Sequence, residues 1–523
     1  MRQRRLELLV WSFLLSLSFY PDWFGFLAWF SLVRPFVIIS RLRGREAFNA
    51  AYFFSFFFNV FSLYWVAQVT PPGTLAACVI VAFYYSAVLM IFNRVYRLKP
   101  LYGFVALPFL WTGLEYFRTL SEFAFPWSDL GYSQAYYLYI IQIVSLFSVH
   151  GLTFLIVTVN VLIWLIFRKQ LSAERRLTSL WSVLAIIALL VAYGWIEVPR
   201  IPIPGKINIA LLQGSVPIEE KWRDGNEEYS FDLYDSLARS VQDVTANDSI
   251  PADSAVKLFI WPETSAPSYL SHDRHLRRRV GRTAVNTDAY HLVGALGSGM
   301  VDERRRYYNA CYLFAPDGTM GLRHDKVKLV PFTEQVPYQD KLPFLRKEFL
   351  TEYLTFIKTY DVNWWSDFYP GRVGTVFDFD DTRFGTLICF ECTFPEFTRQ
   401  MLLDGADFLV GITNDTWFGH SVGIYMHSRM FITRAVENRC WMARCANSGL
   451  TYVVDGYGRI RQDLPLDATA ALRARVSPVD SFSFFTRHGD LIGRLSFLLT
   501  VSLAFILVLV WLIQKFSPLG RAR

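Results

Sequence analysis

The stretch Phe384-Gly385-Thr386-Leu387-Ile388-Cys389-Phe390-Glu391 decides how this chain is read. Phe384 to Ile388 is an apolar run of strand length, and Thr393-Phe394-Pro395-Glu396 has the pattern of a capping box with proline in the first helical turn. The spacing predicts that Cys389 lies in the turn between a buried strand and a helix start. Backbone N–H groups at a helix start favour negative charge, so a thiol there is expected below its ordinary ~8.5 and richer in nucleophilic thiolate. The alternative is a buried, inert cysteine, because free cysteine is among the most buried residue types. Partners elsewhere in the chain decide between the two.

At 523 residues the chain is long enough for two or more domains, and at 53% hydrophobic with 17% aromatic residues part of it belongs in a bilayer. Candidate spans are Leu8–Phe19, Phe24–Ile39, Phe48–Val66, Leu75–Phe92, Leu101–Tyr116, Ile140–Phe167, Leu180–Ile196 and, after a long gap, Leu495–Ile513. The net charge of +7 does not point to nucleic acid. The basic residues gather at alternate ends of the apolar spans: Arg2, Arg4 and Arg5; Arg41, Arg43 and Arg45; Arg94, Arg97 and Lys99; Arg168, Lys169, Arg175 and Arg176; Lys515, Arg521 and Arg523. By the positive-inside rule this predicts both termini in the cytoplasm and the large polar segment outside. Five of the six cysteines, Cys311, Cys389, Cys392, Cys440 and Cys445, lie in that polar segment. An odd number cannot all pair within it. Cys389-x-x-Cys392 has redox-pair or half-zinc-site spacing, but no thioredoxin-like context or matching ligand pair follows it.

From about Lys206 to Phe482 the texture is α/β. Ile207–Leu212, Val256–Ile260, Leu292–Leu296, Ala310–Phe314, Val376–Phe379, Phe384–Ile388 and Phe408–Ile412 read as strands, with helical patterns at Tyr229–Val241 and Phe394–Leu403. Trp261-Pro262-Glu263-Thr264 follows the second strand, and proline ends strand pairing there. A carboxylate at a strand end beside tryptophan is placed to be desolvated, which raises it toward the working range of a general base. The plainer reading is a solvated loop glutamate. In Asp325-Lys326-Val327-Lys328-Leu329-Val330-Pro331-Phe332-Thr333-Glu334 an ammonium precedes a second carboxylate, a pattern that alone fits a surface loop.

Together, Glu263, Lys326 and Cys389 resemble the Glu-Lys-Cys triad of the nitrilase superfamily, in that family's chain order. With the polytopic N-terminal part and the C-terminal span, the whole chain is similar to the apolipoprotein N-acyltransferase family of bacterial inner membranes. Supporting matches are Phe125-Pro126-Trp127, Gly131-Tyr132-Ser133-Gln134, Gln213-Gly214, Lys221-Trp222, Leu329-Val330-Pro331-Phe332, Asn414-Asp415-Thr416-Trp417-Phe418-Gly419, Arg434-Ala435-Val436-Glu437 and Ala446-Asn447-Ser448-Gly449. The resemblance implies an α-helical transmembrane bundle of about eight spans joined to an α/β, nitrilase-like αββα sandwich. Residues 1–200 would form the membrane domain, 206–482 a periplasmic catalytic domain and 492–514 the last span. It implies Cys389 as nucleophile, Glu263 as general base and Lys326 as electrostatic stabiliser, with Glu334, Glu391 and Glu437 as supporting acids. Trp222, Phe390, Asn414, Trp417, Phe418, Trp364 and Trp365 would bind or gate substrate. The implied reaction moves an acyl chain from a phospholipid through a cysteine thioester to the α-amine of a diacylglyceryl apolipoprotein. The implied protein is a monomer in the bilayer, without metal or cofactor and without a nucleic-acid partner.

Two positions depart from the family pattern: Phe390 stands where tyrosine is common, and Cys392 adds a second thiol. The aromatic segment Phe349-Leu350, Tyr353-Leu354, Phe356-Ile357, Trp364-Trp365 and Phe368-Tyr369 suits either a lid at a membrane interface or a satellite core. Glu115, His150 and Asn160 lie within apolar spans, where polar residues are functional candidates, although Arg118 one turn from Glu115 equally suits simple pairing. Two rival functions share these features. A membrane-anchored amidase would use the same triad with water as acceptor but would need no set of spans, and a non-catalytic lipoprotein-binding scaffold would need no triad.

Overall fold

The computed structural model describes residues 2–20, 23–223, 227–242, 255–346, 349 and 366–516. The chain divides into two compact units, Met1–Val198 with His488–Arg523, and Pro199–Arg487.

The first unit is helical: α1 (Arg2–Leu17), α2 (Val33–Arg41), α3 (Gly44–Leu63), α4 (Pro71–Leu98), α5 (Pro100–Phe117), α6 (Val144–Ile166), α7 (Ala173–Glu197) and the C-terminal helix Leu491–Phe516. Local chemistry sets the ends. Thr70 Oγ1 accepts from the Gly73 N–H at 3.1 Å and Pro71 occupies the first turn of α4. Among the described residues six helical segments are long and apolar enough to cross a membrane: Phe24–Arg41, Gly44–Gln68, Pro71–Leu98, Ile141–Ile166, Ala173–Glu197 and Leu491–Phe516. The expected spans Leu8–Phe19 and Leu101–Tyr116 fall largely in α1 and α5, which do not meet that standard. The 16 residues of α1 reach only ~24 Å at ~1.5 Å per residue, against a hydrocarbon core of ~30 Å, and α5 carries Pro108 and Glu115.

Of the polar residues in this unit, Glu115 does not make the direct pair with Arg118 that is one of its two sequence readings. Glu115 accepts from Trp111 Nε1 at 2.9 Å, the Leu130 N–H at 3.1 Å and Thr153 Oγ1 at 2.6 Å. Arg118 instead meets Asp129 at 3.1 Å and the Tyr85 hydroxyl at 2.8 Å. His150 Nδ1 pairs with Asp490 at the start of the last helix. Asn160 joins two segments, accepting from the Leu32 N–H and donating to the Ala28 carbonyl, both at 2.9 Å.

The second unit contains β1 (Ile207–Gln213), α8 (Ile218–Lys221), α9 (Glu227–Gln242), β2 (Leu258–Ile260), β3 (Ala266–Tyr269), α10 (Arg274–Thr287), β4 (Tyr290–Val301), β5 (Arg304–Phe314), β6 (Met320–Asp325), β7 (Val376–Phe379), β8 (Thr382–Ile388), α11 (Pro395–Leu403), β9 (Phe408–Thr413), α12 (Val422–Asn438), β10 (Met442–Ala446), β11 (Tyr452–Val454), β12 (Ile460–Asp463) and β13 (Ala470–Val476). One sheet runs β13-β1-β2-β4-β5-β6, with β3 also on β4, and the other runs β12-β11-β10-β9-β8-β7. Each has a parallel centre, β1, β2 and β4 in the first and β8, β9 and β10 in the second, flanked by antiparallel strands. Apolar runs at these centres bury both faces, as parallel strands require. Ile209, Leu211 and Ile260 of one sheet meet Phe384, Ile388, Phe408 and Ile412 of the other in a shared core. Each such side chain contributes about 1.5–3 kcal/mol on burial.

Helices cover the outer faces. Phe231 and Tyr234 of α9 and Leu276 and Val280 of α10 pack with Leu212, Phe259 and Val293 of the first sheet. On the second sheet α12 lies so close that a Cβ on Gly411 would stand 2.0 Å from the Phe431 ring. This is the expected αββα sandwich.

Candidate active site

Four strand ends converge on one cluster, in keeping with the rule that ligands lie beyond the carboxyl ends of parallel strands. Cys389 follows β8, Glu263 follows β2, Lys326 follows β6 and Asn414 follows β9.

Cys389 adopts a left-handed backbone with φ +50° and opens a 3-10 turn, Cys389–Thr393. A non-glycine residue there is uncommon and marks a functional or strained position. The expected capping box at Thr393 is not formed: Phe394 is the N-cap of α11, without a side-chain bond, and Pro395 takes the first turn. The helix therefore begins six residues beyond the sulfur. Far from being lowered by a helix start, the thiol is pushed well above its ordinary value by burial and the Glu263 charge, with Lys326 acting in the opposite direction.

The turn is held by Glu391. Its Oε2 accepts from the Ile388 N–H at 2.7 Å and lies 3.0 Å from His324 Nε2, while Oε1 accepts from the Val327 N–H at 2.6 Å. One buried carboxylate thus fastens the Cys389 turn to the chain beside Lys326.

Glu263 Oε1 accepts from Asn309 Nδ2 at 2.7 Å and Lys326 Nζ at 3.3 Å, and Oε2 accepts from the Asn414 N–H at 3.0 Å. The adjacent Trp261 does not wall the carboxylate. It stacks on Tyr234 and donates to His291 Nδ1 in the layer under α9 and α10, so Glu263 is buried as expected, at 7% exposed, but not through that neighbour. Lys326 is only 1% exposed and donates to Glu334 Oε1 at 2.8 Å. Burial favours its neutral form, yet Glu334 and then Glu263 outweigh this and hold the ammonium well above the ordinary lysine range. Asn309 Nδ2 also reaches Glu334 Oε1 at 3.0 Å, and the Val330 N–H donates to Glu334 Oε2 at 2.8 Å. The result is a lysine seated between two carboxylates, facing the cysteine.

Other candidates divide by position. The Asn414 side chain accepts from Thr416 Oγ1 at 2.7 Å and Asn447 Nδ2 at 3.1 Å. Trp222 and Trp417 stay 48% and 37% exposed, while Phe418 is buried against the His427 ring. Phe390 is buried edge-on to Phe394, with ring centres 5.3 Å apart. Trp364 and Trp365, with most of the aromatic segment, lie outside the described residues. Glu437 pairs with Arg434 at 3.1 Å, ten residues along α12 from His427, or ~15 Å at ~1.5 Å per residue. The structure does not bring it to the triad cluster but pairs it with a buried arginine.

Several residues escaped the sequence reading. Asn309 is a polar residue in the apolar half of β5. Lys221, whose only signal was the Lys-Trp pair, donates to the Glu263 carbonyl at 3.1 Å and Thr264 Oγ1 at 2.7 Å. Burial pushes it down to about 7, against the pull of Glu263. Thr264 is itself left-handed at φ +48°, and Gly294 makes room for this turn because a Cβ there would lie 2.1 Å from the Pro262 carbonyl. Thr413 and His427 also reach Cys389 without a local sequence signature, as does Arg444 behind them, which meets Asp415 of the quoted Asn414–Gly419 motif. All six cysteines are free thiols, and among the described residues no group of His, Cys, Asp or Glu could hold a metal ion.

A cysteine, a lysine and carboxylates at the strand ends of an αββα sandwich define the carbon–nitrogen hydrolase class, here carried on a helical membrane unit. Residues 208–479 match the carbon-nitrogen hydrolase family, and residues 12–162 match the apolipoprotein N-acyltransferase N-terminal domain. The apolipoprotein N-acyltransferase of Geobacter metallireducens is 33% identical over 492 residues, covering 91% of this chain and 90% of that protein. That of Chlorobaculum tepidum is 30% identical over 536 residues, covering 96% and 95%. The chain belongs to the apolipoprotein N-acyltransferase family.

Proposed function

We propose that this protein moves an acyl chain from a phospholipid to the α-amino group of the diacylglyceryl-cysteine of an apolipoprotein, by way of a thioester on Cys389. The observation that carries this reading is the pairing of Lys326 with Glu263 and Glu334 opposite Cys389, in a chain related to the family over nine-tenths of its length.

Glu263 takes the Sγ proton, and the sulfur attacks the ester carbonyl. Lys326 offsets the charge of the tetrahedral oxyanion. The C–O bond then breaks, the lysophospholipid oxygen takes the proton from Glu263, and the acyl group stays on sulfur. In the second half the amine attacks the thioester, Glu263 accepts its proton, and the C–S bond breaks to return the thiolate. A thiol suits this task because it both attacks and leaves readily. The raised Cys389 thiol supports a need for a base, since little thiolate exists at rest.

In this reading Glu334 keeps Lys326 charged and placed, and Glu391 fixes the turn. Glu437 supports α12. Asn414 orients Glu263 through its N–H, and Trp222, Phe390, Trp417, Phe418, Trp364 and Trp365 line or gate the path for substrate. The membrane domain is residues 1–200, the catalytic domain 206–482 and the last span 492–514. With α5 also crossing, and with α1 crossing where the bilayer thins to match its length, about eight spans place both termini in the cytoplasm and the catalytic domain in the periplasm of a bacterial inner membrane. The protein acts as a monomer. Incubation with phospholipid alone followed by mass spectrometry tests the reading: a hydroxylamine-sensitive acyl adduct should appear on Cys389, and an adduct on Cys392 would overturn it.

A further inference from the structure

A buried polar chain lies behind Cys389 that the acyl-transfer scheme does not use. The Thr413 hydroxyl, at the end of β9, hydrogen-bonds the Cys389 thiol and also donates to Asp415 Oδ1 at 3.0 Å. Asp415 Oδ1 is 2.9 Å from His427 Nδ1, and His427 Nε2, 3.2 Å away, donates to the Cys389 backbone carbonyl. The chain starts on the sulfur and ends on the carbonyl of one residue.

Arg444 backs it. Its Nη2 donates to Asp415 Oδ2 at 2.5 Å, and its guanidinium lies over the Phe431 ring at 4.9 Å. Phe418 and Phe431 pack edge-on against the imidazole, and all four polar residues are buried. Although burial raises the Asp415 carboxyl, Arg444 and His427 bring it down to about 2, so it remains a charged acceptor at physiological pH. Buried charged groups are costly unless each is satisfied, and here the network spends its contacts on the nucleophile.

Cys389 needs such support for two reasons. Its left-handed backbone is unfavourable for any residue with a Cβ, and the imidazole ties its carbonyl to α12. Its sulfur must also become an anion twice per turnover, each time with Glu263 protonated, near the Asp415 charge and with Lys326 as the opposing charge. A hydroxyl that can rotate from Asp415 to sulfur provides a neutral donor at those moments.

We propose that Thr413, Asp415 and His427 form a positioning clasp on the nucleophile. His427 fixes the Cys389 carbonyl and with it the left-handed turn, while Thr413 turns its hydroxyl from Asp415 to the sulfur whenever the thiolate forms. This rests on Cys389 being the nucleophile.

The test uses the full chain in detergent. Iodoacetamide alkylation of Cys389 is followed against pH, with the site read by mass spectrometry, alongside single-turnover acylation by fluorescent phospholipid. Thr413→Val should shift the alkylation profile up by about one pH unit, a tenfold loss of thiolate at fixed pH, and Thr413→Ser should restore it. His427→Gln should lower the acylation rate at saturating phospholipid about tenfold or more while KM is unchanged. If His427→Gln does not fold, Thr413→Val decides alone. Wild-type alkylation and acylation in the folded variants, with only the melting temperature lowered, would remove the clasp. An adduct in the unmodified chain on a cysteine other than Cys389 would instead remove the nucleophile assignment beneath it.

Discussion

Replacing Glu263 by glutamine should move two properties of Cys389 in opposite directions. The carboxylate is the base in the proposed reaction, yet its charge is also the largest contribution, after burial, to the raised thiol. Glutamine keeps one oxygen that can still accept from Asn309 and Lys326, while its NH2 replaces the oxygen that accepts from the Asn414 N–H and loses that bond. The sign follows from charge. A neighbouring anion disfavours a second anion, so removing it favours the thiolate and lowers the thiol. A charge within ~4–6 Å shifts a group by roughly 1–3 units, which predicts an alkylation profile displaced downward by about one to two pH units. Acylation, by contrast, should fall by about 10²- to 10⁴-fold at neutral pH, the typical worth of a general base, and recover in part as pH rises. Parallel measurements of iodoacetamide alkylation and single-turnover acylation on Glu263→Gln distinguish the two effects. An alkylation profile that stays put or moves upward would refute the electrostatic reading, and acylation at the original rate would refute the base.

Lys326→Met should slow acylation by ~3 kcal/mol, or roughly a hundredfold, without recovery at high pH, because the missing element is positive charge opposite the oxyanion; recovery equal to that of Glu263→Gln would show that Lys326 chiefly tunes the thiol. Lys221, pushed down to about 7 by burial, releases its proton in the folded chain while the unfolded chain still holds it up to ~10.4, so it contributes a rise in stability with pH across that window. Lys221→Met should flatten the change in melting temperature between pH 7 and pH 9, and an unaltered slope would count against the buried, weakly held proton. A reporter fused after Arg176 should be cytoplasmic and one placed in the second unit exported; a cytoplasmic signal from the latter would remove the proposed orientation.

Much of this was legible in the sequence because apolar runs are local. The seven runs read as strands lie wholly or largely in β1, β2, β4, β5, β7, β8 and β9, of which β1, β2, β4, β8 and β9 have parallel neighbours while β5 and β7 pair antiparallel. The remaining described strands carry no such run. β13 is Ala470–Val476 with two arginines, and it is a strand because β1, far away in sequence, supplies its ladder. α12 reads as a mixed polar helix yet is buried along its whole length, and its partners for His427, Asp415 and Cys389, come from other elements. Buried polar residues of this kind declare themselves only through long-range contacts. Glu263 and Cys389 were accessible because each follows a recognisable strand; Lys326 follows β6, which carries no apolar run, and was accessible only through the family resemblance, whereas Asn309 and Lys221 hold the same cluster from positions with no such marker. Trp261 misled because adjacency in sequence puts neighbouring strand residues on opposite faces.

The most direct measurement is intact-protein and peptide mass spectrometry of the purified chain after exposure to phospholipid with no acceptor present. The proposed chemistry predicts a single acyl group on Cys389 that hydroxylamine releases and that disappears when a diacylglyceryl peptide with a free α-amine is added. No adduct under these conditions, or one on another residue that the peptide does not discharge, would contradict acyl transfer through this cysteine.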